Sequence, residues 1–193
     1  MKVLGIVGSP RPRGNTETLL EEALASAKEA GAEVEMLRLR DKELSFCDGC
    51  DTCRVNRRCH IKDDMQEVHA KVLEADGIIL AAPVYFWALS AQMKLFIDRS
   101  YSFEAGHQLR GKVGAGIVVA RRAGAGNAML EFMEFFNTHR MVYAGGALAY
   151  GDKRGDVRND ERGTGEAKAL GRVVVRYIQN TNLRQPRAAA TGP

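Results

Sequence analysis

The sequence predicts an α/β fold, a three-layer sandwich in which a five-stranded parallel sheet of strand order 2-1-3-4-5 lies between two layers of helices. Short apolar segments of strand length alternate along the chain with longer segments of helical periodicity. Most of the apolar segments are continuous, which is typical of parallel strands that are buried on both faces. Right-handed crossovers leave few topologies for such a chain, and five strands favour this order over the six-strand dinucleotide fold.

The first strand, loop and helix set the pattern. An apolar strand is expected over residues 2–7, and the polar loop of residues 8–16 leads from it into a helix with leucine and alanine at helical spacing. Asn15 or Thr16 is expected to cap the start of this helix, and Gly31 is expected to terminate it.

The second strand and the segment after it are more polar. Residues 33–39 alternate more cleanly than the first strand, which predicts a position at the edge of the sheet. A cysteine-rich loop is expected over residues 41–64. Asp64 and Glu67 have the spacing of a capping box and predict a helix that runs to about Ala75.

The rest of the chain continues the alternation. Ser90 is expected to cap a helix after an aromatic loop of residues 83–89, and a polar segment of residues 151–166 precedes the last helix. The expected strands are 77–82, 112–120 and 141–150, and the expected helices are 91–101, one that starts at Asn127, and 167–180. We expect one domain over residues 1–183 and a disordered tail over residues 184–193.

Composition limits the function classes. The 193 residues are 45% hydrophobic and 27% charged, which is ordinary globular usage. A net charge of +4 favours anionic ligands, but the arginine and aromatic pattern of a nucleic-acid module is absent from the sequence. No apolar run approaches the ~20 residues of a membrane span, and no secretory signal is recognisable. We therefore expect a cytoplasmic protein without membrane or nucleic-acid partners, whose thiols are reduced.

Two loops are expected to meet at the switch point of the sheet, between the first and third strands, where open α/β sheets bind ligands. The first is residues 8–16, which matches neither a Walker A loop nor a G-x-G-x-x-G fingerprint. Its polar groups predict a phosphate cradle at a helix N-terminus, although a capped helix after a tight turn remains the plainer interpretation. The expected phosphate-binding residues are Ser9, Arg11, Asn15 and Thr16, with Arg13 as a further cation.

The second loop carries Pro83, Val84, Tyr85, Phe86 and Trp87, and Trp87 is the single tryptophan of the chain. Aromatic side chains after a strand often belong to the core or to a subunit interface. At the switch point of this flavodoxin-like arrangement they predict a flat wall for a planar ligand, and FMN combines such a ring with a phosphate. A second glycine-rich loop, residues 121–126, is left open as a ligand contact.

All four cysteines of the chain lie within thirteen residues, with the spacing C-x2-C-x2-C-x5-C. Compact C-x2-C-x2-C runs wrap thiolates around a cubane cluster in ferredoxins, whereas four-cysteine zinc sites usually use two separated C-x2-C pairs. The run therefore favours one [4Fe–4S] cluster on Cys47, Cys50, Cys53 and Cys59. Loop thiols without metal, a zinc site and a redox disulfide remain open alternatives.

Several of these motifs together resemble the iron–sulfur flavoprotein family, a branch of the flavodoxin-like NAD(P)H-dependent FMN reductases. The resemblance runs from Lys2 to about Tyr177, and the cysteine spacing is its most specific part. The motifs are Gly8-Ser9-Pro10-Arg11 with Gly14-Asn15-Thr16, the cysteine run up to Met65, Pro83-Val84-Tyr85-Phe86, and Ser90-Ala91-Gln92-Met93-Lys94 through Asp98-Arg99.

The resemblance implies FMN, with its phosphate on the 8–16 loop and its ring along residues 83–87, and a [4Fe–4S] cluster on the four cysteines. It further implies an electron carrier that takes electrons from ferredoxin and reduces dioxygen or hydrogen peroxide, assembled as a homodimer or homotetramer. Trp87 departs from the small residue expected there, and its ring is expected to narrow access to the flavin. Two rival hypotheses are a cluster-free NAD(P)H-dependent FMN or quinone reductase, and a non-catalytic redox sensor.

Overall fold

Five parallel strands form the central sheet in a computed structural model that describes residues 1–181. The predicted tail of residues 184–193 lies outside the described residues. The strands are β1 Lys2–Val7, β2 Glu33–Arg38, β3 Gly77–Tyr85, β4 Ala88–Leu89, β5 Val113–Ala120 and β6 Val142–Tyr150. The helices are α1 Asn15–Glu29, α2 Thr52–Asn56, α3 Met65–Glu74, α4 Ala91–Arg99, α5 Tyr101–Glu104, α6 Ala125–Thr138 and α7 Glu161–Asn180.

The order of the parallel strands is β2-β1-β3-β5-β6, which confirms the predicted topology. Val7, at the end of β1, pairs with Arg38 of β2 and with Ala81 of β3. The loops that follow β1 and β3 therefore leave the sheet at the same edge, as predicted for the switch point. The short strand β4 is additional to this sheet path and pairs antiparallel with the end of β3.

Helices cover both faces of the sheet, and each face has its own apolar core. One core lies between the sheet and helices α3, α4 and α6, with Met65, Phe96 and Phe132 among its fully buried side chains. The other lies beneath α1 and α7, with Leu20 and Val174 among its members. This is the predicted three-layer arrangement. Within residues 1–181, none of the helices combines the length and the apolar character that crossing a membrane requires.

Two predicted helix caps are wrong, although α3 and α4 begin where the sequence predicts. The capping box lies one residue earlier than expected, because Asp63 accepts from the Met65 amide at 3.0 Å and Gln66 accepts from the Asp63 amide at 3.0 Å. Asp64 instead accepts from the Glu43 amide at 2.9 Å and so closes the base of the cysteine loop. Ser90 precedes α4, but its hydroxyl donates to a distant carbonyl and caps nothing.

The predicted start of α7 is wrong, since this helix begins at Glu161 instead of residue 167. Asp160 caps it by accepting from the Gly163 amide at 2.9 Å. A Cβ on Gly163 would lie 2.4 Å from the Cβ of Ala149, so the first turn packs directly against β6. The first turn contains two glycines and several charged residues, so its sequence has no apolar helical periodicity. Its helical state depends instead on the contact with β6.

A close backbone contact joins α7 to α1. A Cβ on Gly171 would lie 2.0 Å from the carbonyl oxygen of Ala23, a distance that no side chain permits. Glycine at this position therefore lets the two helices approach and shield the core between them. Gly165 lies in the same helix, and a Cβ there would meet nothing within 4 Å.

A buried carboxylate ties the start of α1 to the end of β2. Glu17 is 1% exposed and accepts from Arg38 Nε at 2.6 Å and from Arg40 Nη1 at 2.7 Å. It also accepts from the Arg13 amide at 2.9 Å, inside the loop that follows β1. Burial on its own raises the pKa of Glu17, but the bonds from Arg40, Arg38 and Arg13 outweigh it and lower that pKa to about 2.

We predict that Gly171→Ala destabilises the fold by about 2–3 kcal/mol, because the added methyl group forces α1 and α7 apart. Gly165→Ala is the matched control and is expected to stabilise α7 by roughly 0.5–1 kcal/mol, since alanine is the better helix former. Urea unfolding of the two variants measures both effects. Equal effects at the two positions would contradict the close approach of the helices.

We predict that Glu17→Gln removes about 3 kcal/mol of stability at neutral pH and much less in acid. The pKa of Glu17 is lowered, so its contribution is complete above the ordinary pKa of 4.5 and is lost as the pH falls through about 2. Unfolding free energies of both proteins across this range measure the effect. Glu21→Gln, at an exposed position of the same helix, is the control. A difference that stays constant with pH would contradict the prediction.

Candidate cofactor and metal site

The loop after β1 leads into an uncapped helix N-terminus. The residue before α1 is Gly14, which has no side chain with which to cap, so the predicted caps Asn15 and Thr16 lie inside the helix. The first N–H groups of a helix have no partner within it and carry partial positive charge. Ser9 and Thr16, both at most 3% exposed, lie beside this N-terminus. The donor set fits a phosphate, as the sequence predicted.

The other two predicted phosphate ligands contact the segment that follows β6. The Asn15 side chain donates to the Lys153 carbonyl at 2.9 Å and accepts from the Gly155 amide at 2.8 Å. Arg11 is exposed, and its Nη1 donates to the Asp152 carbonyl at 3.4 Å. Asn15 therefore holds this segment against α1, and a direct phosphate contact by Asn15 or Arg11 stays a prediction.

The predicted aromatic loop is a β-hairpin. Val84 pairs with Leu89 and Tyr85 with Ala88, and the two turn residues Phe86 and Trp87 have φ of 47° and 69°. Two successive left-handed residues make the turn type that matches the twist of a hairpin. This turn was not recognisable from the residue types, because such positions usually carry glycine, asparagine or aspartate.

The hairpin presents its aromatic rings to the outside. Phe86 is fully exposed, Trp87 is 62% exposed and Tyr85 is 39% exposed. A core position for Phe86 and Trp87, one of the alternatives considered from the sequence, is therefore wrong. Pro83 and Val84 are half-buried at the base of the hairpin. An exposed aromatic tip beside an anion cradle suits a planar ring with a phosphate tail, or a second subunit.

The second glycine-rich loop packs against the hairpin. Gly124 has φ of +87°, and a Cβ there would lie 3.0 Å from Trp87 Cα and 3.0 Å from Val84 Cγ1. Glycine is required at this position because φ is positive and because a Cβ would be too close to the hairpin. Glu131 of α6 adds support by accepting from the Leu89 amide at 3.0 Å. The loop of residues 121–126, which the sequence left open as a ligand contact, therefore supports the hairpin. A ligand contact by this loop stays a prediction.

The hairpin and the cradle are joined directly. The Ser90 hydroxyl donates to the Gly8 carbonyl at 2.6 Å, and the residue is fully buried. A Cβ on Gly8 would lie 2.7 Å from the Cβ of Met93, so α4 begins in contact with the end of β1. The two halves of the predicted ligand site are therefore fixed relative to each other.

The cysteine loop brings four free thiols together. Cys47 and Cys50 are exposed, whereas Cys53, in the short helix α2, and Cys59 are half-buried. Burial raises the pKa of the Cys53 thiol, and the neighbouring thiols of Cys59, Cys47 and Cys50 raise it further. The four thiols thus lie on one loop, within residues 47–59 of the chain.

The spacing of the donors differs from that of a four-cysteine zinc site. Among residues 1–181, one group of three His, Cys, Asp or Glu side chains has its ligand atoms within 4.8 Å of one another, namely Asp48, Cys50 and His60. No three cysteine sulfurs there approach so closely, whereas Zn–S bonds of about 2.3 Å hold tetrahedral sulfurs about 3.8 Å apart. Within the described residues, the thiols therefore do not form a preformed zinc site of three or more sulfurs.

A buried arginine clamps both ends of the cysteine loop. Arg99, at the end of α4, donates through Nη1 to the Ser45 carbonyl at 2.6 Å and to Asp63 Oδ2 at 2.7 Å, and through Nη2 to Asp63 Oδ1 at 3.0 Å. The Ser45 amide also donates to Asp63 at 2.8 Å. The Arg99 side chain is 0% exposed and that of Asp63 is 8% exposed. A bidentate pair with this burial fixes the loop ends firmly.

The charges of this pair are mutually stabilised. Burial raises the pKa of Asp63, but the bonds from Arg99 and from the Ser45 and Met65 amides outweigh it and hold that pKa below its usual range. Burial opposes the charge of Arg99 as well, yet Asp63 and the adjacent Cys59 sulfur raise its pKa above the ordinary value. Both groups therefore stay ionised.

One donor of Arg99 has no partner. The Nε atom is fully buried and makes no hydrogen bond within residues 1–181. An unsatisfied buried donor costs about 1–3 kcal/mol, and more on a charged group. Because the guanidinium bonds both ends of the cysteine loop, this unpaired donor fits an anionic sulfur centre on that loop.

Sequence reasoning missed the clamp, although one signal was present. Arg99 lies three residues after Phe96 and six after Met93, on the buried face of α4. A charged residue in the register of an apolar stripe predicts a buried ion pair. The helix α2 was also missed, and Arg57 beside it packs over Gly106, where a Cβ would lie 3.0 Å from Arg57 Nε.

The comparisons with known proteins agree with this geometry. Residues 1–154 match the family model described as NADPH-dependent FMN reductase. An iron-sulfur flavoprotein of Methanocaldococcus jannaschii is 42% identical over 189 residues, covering 93% of this chain and 98% of that protein. An iron-sulfur flavoprotein of Archaeoglobus fulgidus is 34% identical over 187 residues, covering 96% and 84%.

A solved structure supports the fold alone. A flavodoxin from the domain Archaea superposes with a TM-score of 0.63 at 16% sequence identity, covering 93% of this chain and 99% of the flavodoxin. The flavodoxin-like sheet is thus confirmed by structure, and the family is shown by sequence. On these grounds the chain belongs to the iron–sulfur flavoproteins, within the NADPH-dependent FMN reductase family.

Proposed function

We propose that this protein is an electron-transfer flavoprotein that binds FMN and one [4Fe–4S] cluster. In this proposal it passes electrons from a carrier such as ferredoxin to a small acceptor such as dioxygen or hydrogen peroxide. The observation that carries the proposal is the presence of four free thiols on one loop whose two ends are bonded to Arg99 of α4. The names of the iron-sulfur flavoproteins that the chain resembles support the same pair of cofactors.

Each cofactor has its own set of residues in the proposal. The phosphate is held at the N-terminus of α1 by backbone N–H groups and by Ser9 and Thr16, and the ring lies along the hairpin of residues 83–87. The cluster ligands are Cys47, Cys50, Cys53 and Cys59. FMN exchanges one or two electrons and a cubane cluster exchanges one, so the pair converts between one-electron and two-electron partners.

Helix α4 sets the separation of the two regions. Its start contacts the phosphate loop through Ser90 and Met93, and its end holds the cysteine loop through Arg99. Nine helical residues span about 13 Å. The clamp on the cysteine loop thus lies one helix length from the loop after β1, and the aromatic rings of the hairpin are exposed. We propose a homodimer or homotetramer in which the cysteine loop of one protomer approaches the hairpin of another.

A second candidate function is a cluster-free NAD(P)H-dependent FMN or quinone reductase. The match of residues 1–154 to a family of NADPH-dependent FMN reductases favours it. The exposed hairpin tip offers a surface on which a second planar substrate can stack. The two functions differ in their iron and sulfide content and in whether NAD(P)H is oxidised directly.

We predict that anaerobically purified protein contains about four iron atoms and four labile sulfides per chain, together with flavin. Cys53→Ser is expected to lose the iron and the sulfide while it keeps the flavin, because a cluster ligand is missing and the phosphate cradle is intact. Val55→Ala, at an exposed position of the same short helix, is the control and should keep both cofactors. Iron, sulfide, zinc and flavin assays measure the outcome. Flavin without sulfide in the unmodified protein would favour the cluster-free reductase.

We predict that Thr16→Val weakens FMN binding about ten- to a hundredfold, the effect of losing one hydrogen bond to a charged phosphate. Riboflavin, which has no phosphate, should bind both proteins equally. Thr18→Val is the matched control, because Thr18 is buried two residues further along α1 and is not in the cradle. Fluorescence titration of the apoprotein measures these affinities. Equal losses in the two variants would place the phosphate elsewhere.

A further inference from the structure

We propose that Arg99 is a positioning residue for the metal cluster, which donates its Nε–H to the Cys59 thiolate and makes the cluster easier to reduce. This inference rests on the proposed function and adds to it a residue outside the cysteine run. It concerns a side chain that lies forty residues after Cys59 in sequence and that bonds both ends of the cysteine loop.

The first argument is a count of hydrogen-bond donors. A guanidinium carries five N–H groups, and three of those on Arg99 are used by Ser45 and Asp63. The Nε–H and one Nη2–H remain, and Nε is fully buried without a partner. A buried charged donor in a folded protein has a partner as a rule, and we assign that role to the sulfur of Cys59, on the loop whose ends Arg99 holds.

The second argument is the fixed position of the guanidinium. Asp63 accepts from Nη1 and Nη2, and the Ser45 carbonyl also accepts from Nη1. Nε is therefore left without a bond to either residue. Ser45 lies two residues before Cys47, and Asp63 lies four residues after Cys59. The same clamp therefore closes the loop and sets the direction of the remaining donor, before any cluster is bound.

The third argument is electrostatic. A reduced cluster carries one more negative charge than an oxidised one, so a nearby positive charge stabilises the reduced form more. Water does not screen this interaction well, because the Arg99 side chain is 0% exposed. The carboxylate of Asp63 is bonded to Nη1 and Nη2 and not to Nε, so it leaves the Nε–H free for the sulfur.

The decisive experiment uses the unmodified holoprotein. Protein grown with arginine that carries a heavy nitrogen isotope in its guanidinium is reduced, and pulsed EPR of the cluster is recorded. We expect a weak coupling to labelled nitrogen that is absent from Arg99→Lys and present in Arg110→Lys, a change at an exposed arginine. A reduced cluster without any coupling to labelled nitrogen, or with a coupling that survives Arg99→Lys, would overturn the proposal.

A redox titration adds a readout that a purely structural clamp would not move. Arg99→Gln and Arg99→Lys are expected to have more negative reduction potentials than the unmodified protein, since glutamine has no charge and lysine cannot bond both Asp63 and sulfur. Unchanged potentials at full iron content would overturn the proposal. Where a variant holds no cluster, the labelled unmodified protein decides. Unmodified protein without iron and sulfide would instead contradict the proposed function.

Discussion

The ion pair between Arg99 and Asp63 is the constraint on which the cysteine loop depends. A guanidinium without solvent contact is tolerated only when it is paired and hydrogen-bonded, so Asp63 and the Ser45 carbonyl must reach it. Meeting that requirement draws both ends of an otherwise polar segment onto the end of α4. The loop has few apolar contacts of its own, and Phe46 and Val55 are exposed. Its position follows from a buried charge more than from hydrophobic burial.

Helix α4 connects this clamp to the rest of the molecule. Its first turn is locked onto the end of β1 by the Ser90 hydroxyl and by the close packing of Met93 on Gly8. Its interior residue Phe96 belongs to the apolar core. The two polar ends of one helix thus determine where the phosphate cradle and the cysteine loop lie, and a rigid apolar middle keeps that distance constant.

Much of the fold was predictable from the sequence, because buried parallel strands are continuous apolar runs whose order follows from handedness and strand number. The places of the candidate ligands in the fold were also predictable. Ser9 and Thr16 follow the first strand, and the four cysteines form a compact run in the sequence. The hairpin turn at Phe86 and Trp87 was not predictable, because its residues carry no turn signal. The partner of Arg99 was not predictable either, because Asp63 lies 36 positions away in the sequence.

The two ends of the site differ in exposure, and this difference bears on how it works. The phosphate cradle is built from buried groups, held further by Glu17 beneath it, so it suits permanent retention of a ligand. Cys47, Cys50, Phe86 and Trp87 are exposed, so the groups expected to exchange electrons lie at the surface. A group that exchanges electrons with a carrier must be accessible to that carrier, whereas a cofactor that is retained must be enclosed by the protein. One chain can meet both needs, because the buried donors that suit an anion lie inside the loop after β1, whereas the exposed cysteines and aromatic residues lie on separate projections.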